Sequence, residues 1–140
     1  MADGSGTKLA ARASNEDGAY MFNMNDSSAS SHTLDMGDSG KVYMLYSTVV
    51  RTITLPAVAA GLKFKFIATD TTADSSITTS EGTALFKGGA ECGDAYLTLA
   101  GTTIIVEAAG AVGDHLDLIC DGTYWYVSGH GSNDASFSVS

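Results

Sequence analysis

The sequence predicts an all-β protein, a single-domain β-sandwich or jelly-roll-like fold with an extended N-terminal arm. Apolar residues recur with a period of two between about residues 41 and 128, and no segment keeps a period of 3.6 between helix caps. Short apolar runs separated by turn residues follow each other at intervals of about 8–12 residues, which is typical of sandwiches and barrels.

The composition fits one compact domain of strands and turns. The chain has 140 residues, 44% of them hydrophobic and 16% charged. The charged share lies below the ~25% of an average soluble domain, and glycine, serine, threonine and alanine take its place. A chain of this length buries roughly 68% of its unfolded surface, so it needs neither a metal ion nor a disulfide to fold. We therefore expect no cofactor.

The charge balance argues against two classes of partner. The formal net charge is −9, with 16 acidic and 7 basic side chains. Nucleic-acid binding needs basic side chains that displace counterions from phosphates, and electrostatic membrane binding needs a basic patch. We expect no nucleic acid and no membrane among the partners.

The N-terminal sequence indicates synthesis in a cytoplasm. The first residues, MADGSGTKLAARASN, contain no apolar core of a signal peptide. No run approaches the ~18 apolar residues of a membrane-spanning helix. We therefore expect a protein that is made in a cytoplasm without export.

The two cysteines, Cys92 and Cys120, form no CxxC pair. We expect both to be buried thiols that pack like small hydrophobic residues. Whether they form a disulfide is left undecided, because a disulfide requires a short Cα–Cα distance that sequence does not provide.

Two regions of different composition predict the domain organisation. Residues 1–32, rich in Gly, Ser, Asp and Asn, are assigned to an extended N-terminal arm, and residues 33–140 to the sandwich domain. The arm contains the apolar cluster Tyr20, Met21 and Phe22, which we predict to anchor it on a neighbouring subunit. The alternative is a disordered tail.

The predicted strands follow the alternation of apolar residues. Leu62, Phe64 and Phe66 point inward in the clearest half-buried strand, and the lysines between them point outward. Pro56 ends the strand before it. The predicted strands are 41–46, 50–55, 62–66, 76–79, 83–86, 95–99, 102–107, 115–120, 123–127 and 135–139, with a tight turn at 81–82 between the fourth and the fifth.

The strongest local pattern is the dipeptide Asp121-Gly122 between two alternating runs. It predicts a two-residue hairpin whose central positions both accept positive φ. In that hairpin Trp125 shares one face of its strand with Val127, and the two neighbouring tyrosines share the other face.

The search for reactive groups finds little. His115 with Asp117, and His130 with Asp134 in a glycine-rich loop, have a spacing at which two side chains can hold a metal ion. A solvated polar face is the preferred interpretation of both pairs, and we predict no metal site. No pair of carboxylates is singled out for glycoside cleavage, and no GxSxG sequence is present.

The aromatic cluster near the hairpin allows two interpretations. Trp125, Tyr124 and Tyr126 could form a sugar-binding platform. The preferred alternative places Trp125 in the core and both tyrosines at an interface or rim.

Several segments resemble small virion structural proteins of tailed phages. They are 38–43 (DSGKVY), 52–57 (TITLPA), 61–66 (GLKFKF), Gly113-Asp114 and 121–129 (DGTYWYVSG). The resemblance covers residues 33–130 and is to proteins of the capsid decoration (cement) or head-fibre type, notably of marine and cyanobacterial phages.

This resemblance implies a virion protein with a β-sandwich or jelly-roll fold and no catalytic residues. It implies homotrimers around the quasi-threefold positions of the capsid exterior, where the protein binds the major capsid protein and bridges its subunits. Such a trimer would bind strongly even if each contact were weak. We predict capsid contacts for Tyr20, Met21 and Phe22, and a trimer interface at Tyr124 and Tyr126.

Two other functions stay open. The chain could be a tail-fibre, spike or head-fibre module that binds host surface glycan. A weaker option is a small glycan-cleaving enzyme, which would require activity that depends on an exposed carboxylate.

Overall fold

The computed structural model describes residues 21–23, 30–45 and 49–140, the first of these ranges as backbone. These residues form two mixed β-sheets that pack face to face, which confirms the predicted all-β sandwich. The strands are β1 Met21–Asn23, β2 Ser31–Thr33, β3 Val42–Leu45, β4 Arg51–Thr54, β5 Ala60–Ala68, β6 Ser75–Thr78, β7 Phe86–Cys92, β8 Ala95–Thr98, β9 Thr103–Val106, β10 His115–Asp121, β11 Trp125–Gly131 and β12 Phe137–Val139.

The strand order brings distant parts of the chain together. The large sheet has seven strands in the order β1-β3-β5-β10-β11-β7-β8, and the small sheet has five in the order β12-β9-β6-β4-β2. Five neighbouring pairs are parallel, namely β1–β3, β3–β5, β2–β4, β4–β6 and β7–β11. Strand β10 lies between β5 and β11 and is antiparallel to both. No helix of the described residues is long and apolar enough to cross a membrane.

The core fills the space between the sheets with the inward residues of the period-two strands. Trp125 is fully buried, and its ring centroid lies 5.8 Å from that of Phe64. Tyr43 stacks on Phe66 at 5.5 Å between ring centroids. The inward positions of β5, β10 and β11 are those that the alternation predicts. The largest fully buried side chains are Trp125, Phe66, Phe86, Leu45, Ile53, Leu55, Ile77, Leu99, Ile104, Leu116 and Leu118.

A short capped turn carries the chain from the small sheet to the large one. Met36–Asp38 form one turn of 3-10 helix, closed by reciprocal hydrogen bonds between Asp35 and Asp38. The backbone N–H of Gly40, a residue with φ 91°, then donates to the carbonyl of Lys63 at 2.8 Å.

The predicted strand 83–86 is wrong: the chain does turn at 80–82, with Gly82 at φ 66°, but this turn does not join two paired strands. Residues 81–85 lie outside any strand, and the chain crosses to the large sheet, where Phe86–Cys92 form β7. The Glu81 carboxylate instead accepts the backbone N–H of Val58 at 3.0 Å. The alternation missed β7 because the strand contains Gly88 and Gly89. A Cβ at these glycines would lie 2.4 Å and 2.2 Å from the carbonyl oxygens of neighbouring strands.

The predicted hairpin between β10 and β11 is present, but its turn is shifted by one residue. The N–H of Asp121 donates to the carbonyl of Tyr124 at 3.2 Å, so Gly122 and Thr123 are the central residues. Only Gly122 has a positive φ, 99°. Glycine at the first central position corresponds to a type II′ turn, which requires positive φ at that position alone. As predicted, Trp125 and Val127 face the core.

Two segments of the predicted arm, residues 1–32, lie at sheet edges. Met21–Asn23 pair in parallel with β3 at the edge of the large sheet, and Ser31–Thr33 pair with β4 at the edge of the small one. Tyr20 and the side chains of Met21 and Phe22 lie outside the described residues, so the predicted capsid contacts stay predictions.

Both cysteines are free and buried, as expected. Cys120 pairs with Trp125 at one end of β11, and Cys92 pairs with Gly131 at the other end. Six residues of strand separate these positions by about 20 Å. That distance excludes a disulfide between them within one chain.

Candidate functional site

The outer face of the large sheet, turned away from the small sheet, carries rows of side chains from strands far apart in sequence. Lys63 of β5 lies opposite Ile119 of β10, Ile119 lies opposite Tyr126 of β11, and Tyr126 lies opposite Lys87 of β7. Residues paired in register point to the same face, so these four side chains form one row across four strands.

A second row lies two residues along the strands. Lys65 is opposite Asp117, and Asp117 is opposite Ser128. The ammonium group of Lys65 lies 3.7 Å from the carboxylate of Asp117. Both side chains are substantially exposed, so the ion pair contributes little to stability and can open when another charged group approaches.

The two rows line an open groove of about 440 Å³ on this face. The side chains that line it are those of Lys63, Lys65, Asp117, Ile119, Tyr126 and Ser128. Gly40, Lys41 and Val42 form its end beside β3. The volume falls within the ~300–1,000 Å³ of small-molecule binding sites.

Tyr126 is the exposed aromatic residue of the groove, and it interacts with Asp121. The Asp121 carboxylate accepts the backbone N–H groups of Thr123 and Tyr124, each at 2.8 Å. These hydrogen bonds lower the pKa of Asp121, and a side-chain hydrogen bond from Tyr126 to the same carboxylate raises the pKa of the phenol. Tyr126 is 44% exposed, so its side chain is accessible from the solvent.

The groove collects most of the lysines of the described residues. The described residues contain four lysines, at positions 41, 63, 65 and 87, against twelve Asp and Glu side chains. Three of the four lysines line the groove, and Lys87 extends the row of Tyr126 with its ammonium group 4.7 Å from the ring centroid of Tyr124. No carboxylate of the described residues lies within 4.0 Å of the Lys63 ammonium. Sequence reasoning placed Lys63 and Lys65 outward but missed this cluster, since only the strand order assembles it.

The histidines weighed as metal ligands form a cross-strand pair on the same face. His115 lies opposite His130, with ring centroids 6.3 Å apart. The prediction that His130 belongs to a glycine-rich loop is wrong, because residues 125–131 continue as β11 after the hairpin. Among the described residues, no three His, Cys, Asp or Glu side chains come close enough to hold a metal ion.

A buried carboxylate joins β10 to the segment before β12. Asp114, 3% exposed, accepts the backbone N–H of Ala111 and that of Ser132, each at 2.9 Å, and the Ser132 hydroxyl at 3.2 Å. This carboxylate is a structural anchor, because its hydrogen bonds come from the loop before β10 and from the loop after β11.

Trp125 lies in the core, as the preferred interpretation of the aromatic cluster predicts. Tyr124 is half-buried and Tyr126 is exposed in the groove. Their assignment to a trimer interface stays a prediction.

Comparison of this chain with protein-family models, with curated proteins and with solved structures gives no match.

Proposed function

We propose that this chain is a phage capsid decoration (cement) protein, which binds the outer surface of the head and stabilises it by bridging subunits of the major capsid protein. The proposal joins the resemblance of residues 33–130 to tailed-phage virion proteins with one structural observation. The N-terminal segment joins the body at an open edge of the large sheet, where Met21 lies opposite Val42.

This attachment suits a protein that links neighbours. Twenty residues precede β1, and a fully extended chain of that length spans at most about 70 Å. An arm that leaves from an edge strand can add further strands to a neighbouring sheet through main-chain hydrogen bonds. Rigid bodies that carry such arms bridge subunits without any chemical step.

The polar groups in the described body favour binding over catalysis. Its buried carboxylate, Asp114, is saturated by hydrogen bonds from neighbouring loops, and Asp121 holds the turn between β10 and β11. Strand pairing also favours a body that resists deformation, since all but the edge strands have neighbours on both sides.

Copy number per virion and binding to bare heads test the proposal. Decoration predicts hundreds of copies on a stained gel of purified virions, and binding of purified full-length protein to heads that lack it. Deletion of residues 1–20 is expected to weaken that binding and to leave the thermal unfolding of the body unchanged. A handful of copies per particle and no binding to heads would contradict decoration and favour the tail-fibre module.

A trimer is part of the proposal and has its own measurement. Light scattering on purified protein is expected to give three chains per particle. The predicted interface implies that Tyr124→Ala lowers this number, whereas Tyr96→Ala, at an exposed tyrosine of edge strand β8, does not. A monomeric wild-type protein at the concentrations used for head binding would contradict the trimer.

A further inference from the structure

We propose that the groove on the outer face of the large sheet binds an anionic polysaccharide, with Lys63 and Lys65 receiving its carboxylates and Tyr126 stacking against a sugar ring. This site is additional to the decoration role, which needs no ligand on this face, and it requires that Tyr126 stay exposed in the trimer, so that Tyr124 alone of the two predicted residues would lie in the trimer interface.

Charge complementarity identifies the sign of the ligand. In a molecule of net charge −9, the groove collects three lysines: Lys41 is paired with Asp38 and Lys65 with Asp117, whereas Lys63 has no carboxylate partner among the described residues. The only carboxylate that lines the groove, Asp117, is already paired with Lys65. A ligand carboxylate would find a charge-assisted donor in Lys63 and could compete for Lys65.

The spacing of the charges suits a chain with sparse charge. Lys63 and Lys65 lie two residues apart on one face of β5, a distance of about 6.7 Å. Lys87 lies about 14 Å from Lys63, three strand spacings across the sheet. Duplex nucleic acid carries one charge per about 1.7 Å, and a molecule with so few lysines cannot neutralise it. A polysaccharide with at most one carboxylate per ring needs fewer lysines to neutralise its charge.

The location of the groove favours a sugar over a peptide. Extended peptides bind to sheets through unpaired main-chain groups at an edge strand. The groove lies instead over β5, β10 and β11, interior strands whose main chains are paired on both sides. A ligand there meets side chains: ammonium donors, the Ser128 hydroxyl, the Asp117 carboxylate and the ring of Tyr126. Sugar hydroxyls and the apolar face of a sugar ring match that set of groups.

The geometry of Tyr126 supports the stacking role. Tyr126 lines the groove and is 44% exposed, so a sugar ring can reach its side chain. Exposed Ile119 lies directly opposite on β10 and extends the apolar surface beside the ring.

The test measures binding of sodium polygalacturonate to the purified full-length protein by calorimetry at low ionic strength. Saturable binding is expected that weakens as NaCl is added, together with much weaker binding of the same polymer after its carboxylates are reduced to alcohols. Lys63→Gln and Tyr126→Ala are each expected to weaken binding roughly tenfold. Thr83→Glu, which gives the same net charge as Lys63→Gln but lies in the exposed connection before β7, should bind as the wild type does.

Several results would overturn the site. They are no binding of polygalacturonate, equal affinity for the reduced polymer, equal affinity for polyglutamate, and unchanged binding in both groove variants. Since Tyr126 is also a predicted trimer-interface residue, a loss of binding that follows dissociation of the oligomer in Tyr126→Ala, with no loss in Lys63→Gln, would also overturn it. Lys63→Gln is expected to bind bare heads normally, so failure of this site and failure of the decoration role are distinguishable.

Discussion

Asp114 and Ser132 hold two distant segments of the chain together through both carboxylate oxygens. One oxygen accepts the backbone N–H of Ser132 at 2.9 Å, and the other accepts its hydroxyl at 3.2 Å. Asp114 begins the approach to the central strand β10, and Ser132 follows the end of β11. A single carboxylate thus joins the start of one strand of the hairpin to the exit of the other.

Asp114→Ala is expected to lower the free energy of unfolding by about 1–3 kcal/mol, because it removes a buried carboxylate that accepts the part-buried N–H groups of Ala111 and Ser132. Chemical denaturation measures the change, provided that the m-value of the variant equals that of the wild type. Asp134→Ala, at an exposed carboxylate in the same loop, should stay within about 0.5 kcal/mol of the wild type. Equal losses in the two variants would contradict the anchoring role.

Asp121→Asn is expected to bring the pKa of Tyr126 down toward its usual value of 10.0, because the carboxylate that accepts the phenol's hydrogen bond is lost. A pH titration of the tyrosine ring signals by NMR measures it. Asp117→Asn, on the same sheet face, is the matched control and should leave the Tyr126 titration unchanged.

The titrations of Tyr126 and Asp121 affect the free energy of unfolding at opposite ends of the pH range. The raised pKa of Tyr126 means that its contribution is present below the unfolded pKa and is lost as pH rises through the folded pKa. The lowered pKa of Asp121 means that its contribution is present above the unfolded pKa of 3.8 and is lost as pH falls through the folded pKa. Identical Tyr126 titrations in wild type and Asp121→Asn would refute the coupling.

Gly129→Ala is expected to destabilise the protein by about 1–3 kcal/mol, since a Cβ there would lie 2.3 Å from the carbonyl oxygen of His115. Gly129 has an ordinary negative φ, so the cost is steric and reports the closeness of β10 and β11. Thermal unfolding measures it, and Ser128→Ala on the neighbouring exposed position should have little effect. A wild-type Tm for Gly129→Ala would mean that the two strands are further apart than described.

Both thiols are expected to resist an aromatic disulfide reagent in the folded protein and to react, two per chain, after denaturation. Burial raises the pKa of Cys92, and the charge of Asp114 raises it further, so little thiolate forms. Addition of a reducing agent should leave the Tm unchanged. An intramolecular disulfide seen by mass spectrometry in freshly purified protein would contradict the positions of Cys92 and Cys120.

Alternation predicts those strands in which every second residue enters the core. Strand β5 shows this well, because Leu62, Phe64 and Phe66 are buried while Lys63 stays exposed. Trp125 was placed inward for the same reason. These inferences need only local sequence, since a strand with one buried face cannot slip by one residue without exposing its whole apolar set.

The sequence reasoning failed where neighbouring strands decide the structure. Strand β7 has glycines at 88 and 89 because other main chains approach closely there, a requirement that no local pattern expresses. The groove was missed for a related reason. Lys63 and Lys87 are 24 positions apart, and they share a row only because β10 and β11 lie between their strands.

The place of β10 in the large sheet constrains the order of assembly. Strands β1, β3 and β5 lie on one side of it, and β11, β7 and β8 lie on the other. A nascent chain from which residues 115–131 have not yet emerged therefore lacks both β10 and β11, so β3 and β5 remain separate from the pair β7 and β8. The large sheet can form as a whole only after β11 has been synthesised, and the many long-range pairings place its folding among the slower single domains, on the millisecond-to-second timescale.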